Sequence, residues 1–238
     1  MSKSVSVVIC AFNEETTIAL AAKETVEALS NMNRDFEVII VNDGSTDKTG
    51  ELASQAALQL GPRVKTIDHE QNEGLGGIFR TGLDAFKNDV LMFISGDGQP
   101  IPELYFNRGL PALESVDMVI GRLPQRDDPF LSLFFSWIEK LVLKSLFPGT
   151  PKIEGPFMFR RDIIEGTHLH FQSIREKGWI LLIEILVRAV RGGFTYRIVE
   201  FGRRPRPVGR SRANTWRYAI KMAILLLKLR YVMFMERS

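Results

Sequence analysis

Cysteine and histidine are scarce in this chain of 238 residues, which has one cysteine, Cys10, and three histidines. One thiol excludes an internal disulfide framework and a Cys-based zinc site, and it fits a reducing compartment. His69, His168 and His170 have no metal-ligand spacing with neighbouring carboxylates and read as surface or structural residues. Long apolar runs are missing as well. A bilayer-spanning helix needs about 20 apolar residues, and the best stretch, Met222 to Leu229, is broken by Lys228. Met1-Ser2-Lys3-Ser4 lead directly into a strand-like segment with no signal-peptide pattern. Neither an internal repeat nor a low-complexity stretch is visible.

What is present is ordinary globular composition, with 45% apolar and 25% charged residues and a net charge of +3. That excludes a disordered chain, and the length suits one α/β domain with or without an appendage. The charge is unevenly placed. Residues 202–238 hold ten Lys or Arg and one acid, whereas the other 201 residues hold 21 basic and 27 acidic side chains. A basic tail on an acidic body suggests an anionic partner, either phosphate groups or an anionic membrane surface; a solvated basic helix fits equally. Two features argue against a nucleic-acid partner: the basic residues do not interleave with aromatics on a sheet surface, and the body is acidic.

Periodicity predicts strands over residues 5–9, 36–41, 64–67, 90–94, 116–120 and 194–201. It predicts helices over 14–29, 46–60, 75–86, 131–147 and 179–190, and a last one from about 215 onward. Strands alternating with helices imply βαβ units and a mainly parallel sheet flanked by helices. The polar segments after the first, second and fourth strands should therefore converge on one crevice beyond the strand ends. In the last helix Arg217, Lys221 and Lys228 share one face, with Trp216, Tyr218, Leu225, Leu226 and Phe234 elsewhere and Arg230 on the far side. Such a basic amphipathic helix suits a membrane interface, and a core or oligomer contact is the alternative. Trp137 and Trp179 read as core or interface anchors.

Three short motifs carry chemistry. Asp43-Gly44-Ser45-Thr46-Asp47 is either a turn with Ser45 or Thr46 capping a helix, or a carboxylate poised for a nucleobase N–H. Asn72-Glu73-Gly74-Leu75-Gly76-Gly77 opens a helix, where amides favour phosphate. A plain helix-opening turn fits too, and Phe79 stands where a dinucleotide fingerprint needs its third glycine, which argues against a Rossmann oxidoreductase. Gly96-Asp97-Gly98-Gln99 ends a strand and is either a Gly-rich turn or a site where Asp97 and Gln99 hold Mg²⁺ or Mn²⁺ with a nucleotide's diphosphate.

The order Asn13-Glu14, Asp43-Gly44-Ser45-Thr46-Asp47, Asn72-x-Gly74-x-Gly76 and Gly96-Asp97-Gly98-Gln99 resembles family-two glycosyltransferases with the GT-A fold. More closely, it resembles the dolichyl- and polyprenyl-phosphate sugar synthases. Gly121-Arg122, Phe157-Met158-Phe159-Arg160-Arg161, Glu184 with Arg188, and Arg206-Pro207-Val208-Gly209-Arg210-Ser211-Arg212 extend the resemblance over about Val5 to Arg212. The chain departs from the family pattern at Cys10, at Ser95 in place of the first acid of the metal motif, at Lys152 and at Asp128.

The resemblance implies a GT-A domain over residues 1–212 and a basic amphipathic helix over 213–238. It implies inverting transfer of a sugar from a UDP- or GDP-sugar to a polyprenyl phosphate, by a protein held peripherally at the cytoplasmic face of a membrane, with a homo-oligomer allowed. Phe12, Glu14, Asp43, Gly44, Ser45, Gly74, Leu75, Gly76, Gly96 and Asp97 would contact the nucleotide-sugar. Asp97 and Gln99 would hold the metal, and Arg206 and Arg212 would close over the phosphates. Arg122, Arg126, Ser132 and Ser211 would hold the acceptor phosphate. A phosphate monoester is charged near neutral pH and needs no strong base, whereas a hydroxyl acceptor would need one, for which Glu154 is the candidate. A third reading is a nucleotide-sugar-binding module that has lost catalysis through Ser95.

Overall fold

The computed structural model describes residues 3–122, 130–153, 155–166, 178–205 and 216–236, with residues 130–136, 139 and 216–219 described by their backbone alone. Seven strands are present, β1 (Val5–Ala11), β2 (Phe36–Asn42), β3 (Val64–Asp68), β4 (Val90–Ser95), β5 (Met118–Arg122), β6 (Phe157–Arg160) and β7 (Tyr196–Glu200). They form one sheet in the order β3-β2-β1-β4-β6-β5-β7. β6 pairs antiparallel with β4 and β5, and every other pairing is parallel, so six strands end at the same edge. β1, β2 and β4 are buried on both faces and accordingly read as near-continuous apolar runs.

Eight helices, α1 (Ile18–Ser30), α2 (Thr49–Leu60), α3 (Gly74–Ala85), α4 (Pro102–Ala112), α5 (Phe130–Leu146), α6 (Arg161–Gly166), α7 (Ile180–Arg191) and α8 (Trp216–Met235), accompany the strands. On one face of the sheet, Ile18 and Leu29 of α1, Ala53 of α2 and Phe106 of α4 pack on Val7, Ile9 and Val38. On the other, Ile78 and Phe79 of α3 and Ile185 and Leu186 of α7 pack on Val8, Ile39 and Phe93. A third cluster joins Leu143 of α5, Ile183 and Val187 of α7, and Met222, Leu226 and Leu229 of α8. The buried positions of α1, at 18, 21, 22, 25, 28 and 29, are the one-sided stripe that its sequence pattern predicts.

Several expected boundaries move for local reasons. α1 begins four residues later than predicted, because the chain turns first, with Asn13 at φ 56° and the Thr17 and Ile18 amides both donating to the Glu14 carbonyl. α2 begins at Thr49 rather than at 46. Neither Ser45 nor Thr46 caps it, and Asp47 instead accepts the Thr49 amide (3.0 Å) and hydroxyl (2.5 Å). α4 was not expected, since its two prolines mask the pattern. Pro102 stands at the first turn, where a missing N–H costs nothing, and Pro111 falls in the last turn. α8 forms as expected but is apolar on two sides rather than one. Met222, Leu225, Leu226, Leu229 and Met233 are buried, while Ile220, Ile224, Leu227, Tyr231 and Phe234 face outward. No helix among the described residues is long and apolar enough to cross a membrane.

Candidate active site

β1, β2 and β3 step outward in one direction, and the chain then returns to place β4 on the other side of β1. That reversal opens a crevice beyond the ends of β1 and β4, where ligands of open α/β sheets bind. Three loops meet there and are stitched together. The Asn13 amide donates to Ser45 Oγ (3.0 Å), the Thr46 amide to Asn13 Oδ1 (2.9 Å) and the Glu14 amide to Thr49 Oγ1 (2.7 Å). Thr17 Oγ1 donates to the Gly96 carbonyl (2.7 Å), and the Gly96 amide to the Cys10 carbonyl (2.8 Å), which binds the first loop to the fourth strand's end. Phe12 and Glu14 lie half-buried on this rim.

Asp43 is buried and its carboxylate is filled from within. Oδ1 accepts from the Glu73 amide (2.9 Å) and contacts His69 Nδ1 (2.7 Å), while Oδ2 accepts from the Gly74 amide (2.8 Å) and Asn72 Nδ2 (2.9 Å). Four partners match the capacity of an ionised carboxylate. Asp43 therefore caps the N-terminus of α3, and a nucleobase N–H would have to displace one of these partners. The same bonds engage the Gly74 amide, one of those with which the Gly74-Leu75-Gly76 turn would meet a phosphate. Gly44 (φ +63°) lets the chain pass under that turn, for a Cβ there would come within 2.5 Å of the Gln71 carbonyl carbon. His69 is a structural strut, its other ring nitrogen 2.8 Å from Thr81 Oγ1.

Asp97 stands on the other side of the crevice, 8% exposed, and its Oδ1 accepts the Gln99 amide (3.1 Å). The turn it occupies is clasped by a distant segment. Gln99 Nε2 donates to the Arg204 carbonyl (3.3 Å), the Arg204 amide to the Gln99 carbonyl (2.8 Å), and Pro100 bridges Arg203. Arg204 in turn grips both oxygens of Glu24 on α1, at 2.8 and 3.0 Å. Tyr105, on the unexpected α4, lies in the same place. Burial and the negative charge of Asp97, opposed by Arg203, push its phenol up to about 12. Sequence reasoning missed Tyr105, Arg204 and Glu24, and nothing local marks them, because the contacts that join them span up to 180 positions.

Arg122, exposed at the end of β5, reaches the same edge, and its carbonyl accepts the Phe201 amide (2.8 Å). Gly121 beside it is held to the Pro156 carbonyl (2.7 Å) so closely that a Cβ would meet that oxygen at 2.6 Å. Ser132 lies in α5, where only the backbone is described. Arg126, Glu154, Arg206, Ser211 and Arg212 lie outside the described residues. Among the described residues no three His, Cys, Asp or Glu side chains gather as a metal cage. A single buried carboxylate at the crevice does fit Mg²⁺ or Mn²⁺ shared with a diphosphate, since such ions take one or two carboxylates plus substrate phosphates.

Comparison with known proteins agrees with this layout. The chain is 30% identical over 169 residues to undecaprenyl-phosphate 4-deoxy-4-formamido-L-arabinose transferase of Photorhabdus laumondii, covering 69% of this chain and 51% of that protein. The protein of the same name from Aeromonas hydrophila is 27% identical over 173 residues, covering 69% and 51%. This chain thus spans about half the length of these relatives. Among solved structures, glucosyl-3-phosphoglycerate synthase of Mycobacterium tuberculosis with Mn²⁺, UDP-glucose and phosphoglyceric acid superposes with a TM-score of 0.72 at 21% identity, over 96% of this chain and 80% of that one. That likeness establishes the GT-A-like fold. Residues 6–173, well over half of the chain, match the model of glycosyl transferase family 2, and the chain belongs to that family.

Proposed function

We propose that the chain transfers a sugar, with inversion, from a UDP- or GDP-sugar to a polyprenyl phosphate at the cytoplasmic face of a membrane. The observation that carries the transferase reading is the Asp97 turn at the chain reversal, clasped by the segment that leads into the Arg-rich stretch 206–212. Asp97, with Gln99 beside it, would hold Mg²⁺ or Mn²⁺ against the donor's diphosphate. The ion, when bound, neutralises charge on the leaving group. Arg206 and Arg212 would bind the phosphates with forked donors, a task for which guanidinium is suited. Phe12, Glu14, Gly44, Ser45 and Gly96 line or support the donor side of the crevice, and Asp43 would serve it by holding the Gly74-Leu75-Gly76 turn in place.

Support for a lipid phosphate as acceptor comes from the relatives named as undecaprenyl-phosphate transferases. Arg122, at the strand edge, with Arg126, Ser132 and Ser211 would receive the acceptor's phosphate. Its oxygen is already anionic near neutral pH, so attack on the sugar needs no proton removed by Lys152 or its neighbours. The test is transfer from a panel of UDP- and GDP-sugars to a short, water-soluble polyprenyl phosphate, with Mg²⁺, Mn²⁺ or EDTA. Metal-dependent transfer of one sugar to the lipid is expected. Transfer only to a hydroxyl acceptor, lost on Glu154→Gln, would replace this reading, and nucleotide binding without any transfer would reduce the chain to a binding module.

A further inference from the structure

The outward side of α8 has no counterpart among the described residues. Of the twelve large apolar side chains exposed among the described residues, six lie on α8, and Trp137 and Leu141 of the neighbouring α5 add two more. On α8, Ile220, Ile224, Leu227, Tyr231 and Phe234 are each half exposed or more, and they recur at spacings of four, three, four and three. That is a continuous helical seam. It is separate from the buried seam of Met222, Leu225, Leu226, Leu229 and Met233, which already packs in the third cluster. A helix held by one face therefore offers a second apolar face outward, over about 21 Å from Ile220 to Phe234.

Charge decides between the two occupants such a seam could have. A second copy of α8 would pair through the same spacing, and the residues flanking the seam would then meet their own kind. The flanks are Lys221 and Lys228 on one side and Ala223 and Arg230 on the other, so self-pairing sets cation against cation. The one acid of the segment, Glu236, is engaged by Arg188 of α7, its carboxylate oxygens 2.7 and 2.9 Å from the guanidinium. On α5, which packs against α8, Lys140 and Lys144 are exposed, as are Trp137 and Leu141. An apolar stripe whose charged flanking residues on α8 are Lys221, Lys228 and Arg230 fits the surface of a bilayer with anionic headgroups.

We infer that the outward face of α8, with Trp137 and Leu141 of α5, is a docking surface for an anionic membrane. The inference rests on the lipid-linked acceptor proposed above and deepens it, by naming the surface and the lipid charge. α8 begins after residues 206–215, which follow directly on the Arg203–Arg204 segment clasped to the Asp97 turn.

The test uses the full chain in flotation with vesicles of phosphatidylcholine alone and of phosphatidylcholine with about one-third phosphatidylglycerol. Binding to the anionic vesicles, weakened by salt and absent from the neutral ones, is the expected result. Each basic residue near an anionic surface contributes roughly fivefold, so Lys228→Glu with Arg230→Glu should weaken binding by at least about 25-fold. Leu227→Glu with Tyr231→Glu should abolish it. Both pairs should retain the wild-type melting temperature and transfer to the short, soluble acceptor. Equal binding by wild type and variants, or none by wild type, overturns the inference. So does a concentration-dependent dimer that Leu227→Glu dissociates, which would assign the seam to a second copy. Transfer to soluble acceptor without vesicle binding removes the docking surface and leaves the transferase reading. Vesicle binding without transfer to any prenyl phosphate does the reverse.

Discussion

Asp43 and Asp97 stand symmetrically about Cys10. Cys10 pairs with Val41 on one side and Ser95 on the other, and each aspartate lies two residues beyond its strand's partner position. Two strand spacings separate their strands, about 10 Å. Their environments divide the work between them. Asp43 is filled by protein donors and holds a helix N-terminus, whereas Asp97 sits on the turn that faces the crevice.

Substituting the two aspartates should therefore give opposite phenotypes. In Asp43→Asn an NH₂ replaces one carboxylate oxygen and confronts either the Glu73 or the Gly74 amide, which bond to different oxygens of Asp43, and urea unfolding should report a loss of about 2–3 kcal/mol. In Asp97→Asn stability should change by less than about 1 kcal/mol, while sugar transfer falls by about 100-fold or more. Equal destabilisation by both substitutions would remove the distinction.

The same geometry silences the thiol between them. Burial first, and then the negative charge of Asp43 and Asp97, push Cys10 well above the usual thiol range. Reactivity belongs to the thiolate. Alkylation by iodoacetamide at pH 8 should be slow in the native protein and become fast only in denaturant, as mass spectrometry would record.

The Arg204–Glu24 pair anchors the segment leading to the Arg-rich stretch, yet its side chains are 41% and 26% exposed. Its contribution to global stability should be below about 1 kcal/mol. Glu24→Ala should nonetheless lower kcat severalfold by loosening that segment. The reversed pair Glu24→Arg with Arg204→Glu should recover much of the loss, and unchanged kcat in Glu24→Ala would refute the anchoring role.

Acid should unfold the protein through specific carboxylates. Burial alone would raise Glu37, but hydrogen bonds from Ser6, Lys65 and the Lys87 amide outweigh it and hold the group below its ordinary value. Hydrogen bonds from Thr195 do the same for Asp117 against its burial, and those from the Ser4 amide and hydroxyl for Asp89. A depressed folded value means the stabilisation is complete above the unfolded values, about pH 4. It is lost as pH falls through the lower folded values. Glu37→Gln should cost about 1–2 kcal/mol at pH 7, with the difference from wild type shrinking towards pH 3. A difference independent of pH would contradict this assignment.

The alternation of strands and helices was legible in the sequence because it rests on local periodicity. β1, β2 and β4 read as apolar runs for the same reason that they are buried on both faces. The convergence of Asn13-Glu14, Asp43-Gly44 and Gly96-Asp97 followed from parallel topology alone, since all three segments begin where parallel strands stop. Tertiary structure decided what local pattern does not encode. β6 enters the sheet antiparallel between β4 and β5, a pairing that depends on partners far away in the chain. Asp43 became a cap rather than an open acceptor because His69, Asn72, Glu73 and Gly74 arrive from 26 to 31 residues away to fill it. Periodicity in α8 marked a helix that reads as basic and amphipathic, and only packing against α5 and α7 showed one apolar stripe buried and a second facing out. Sequence specifies the period of each element; the burial of each face depends on the neighbours that the fold brings to it.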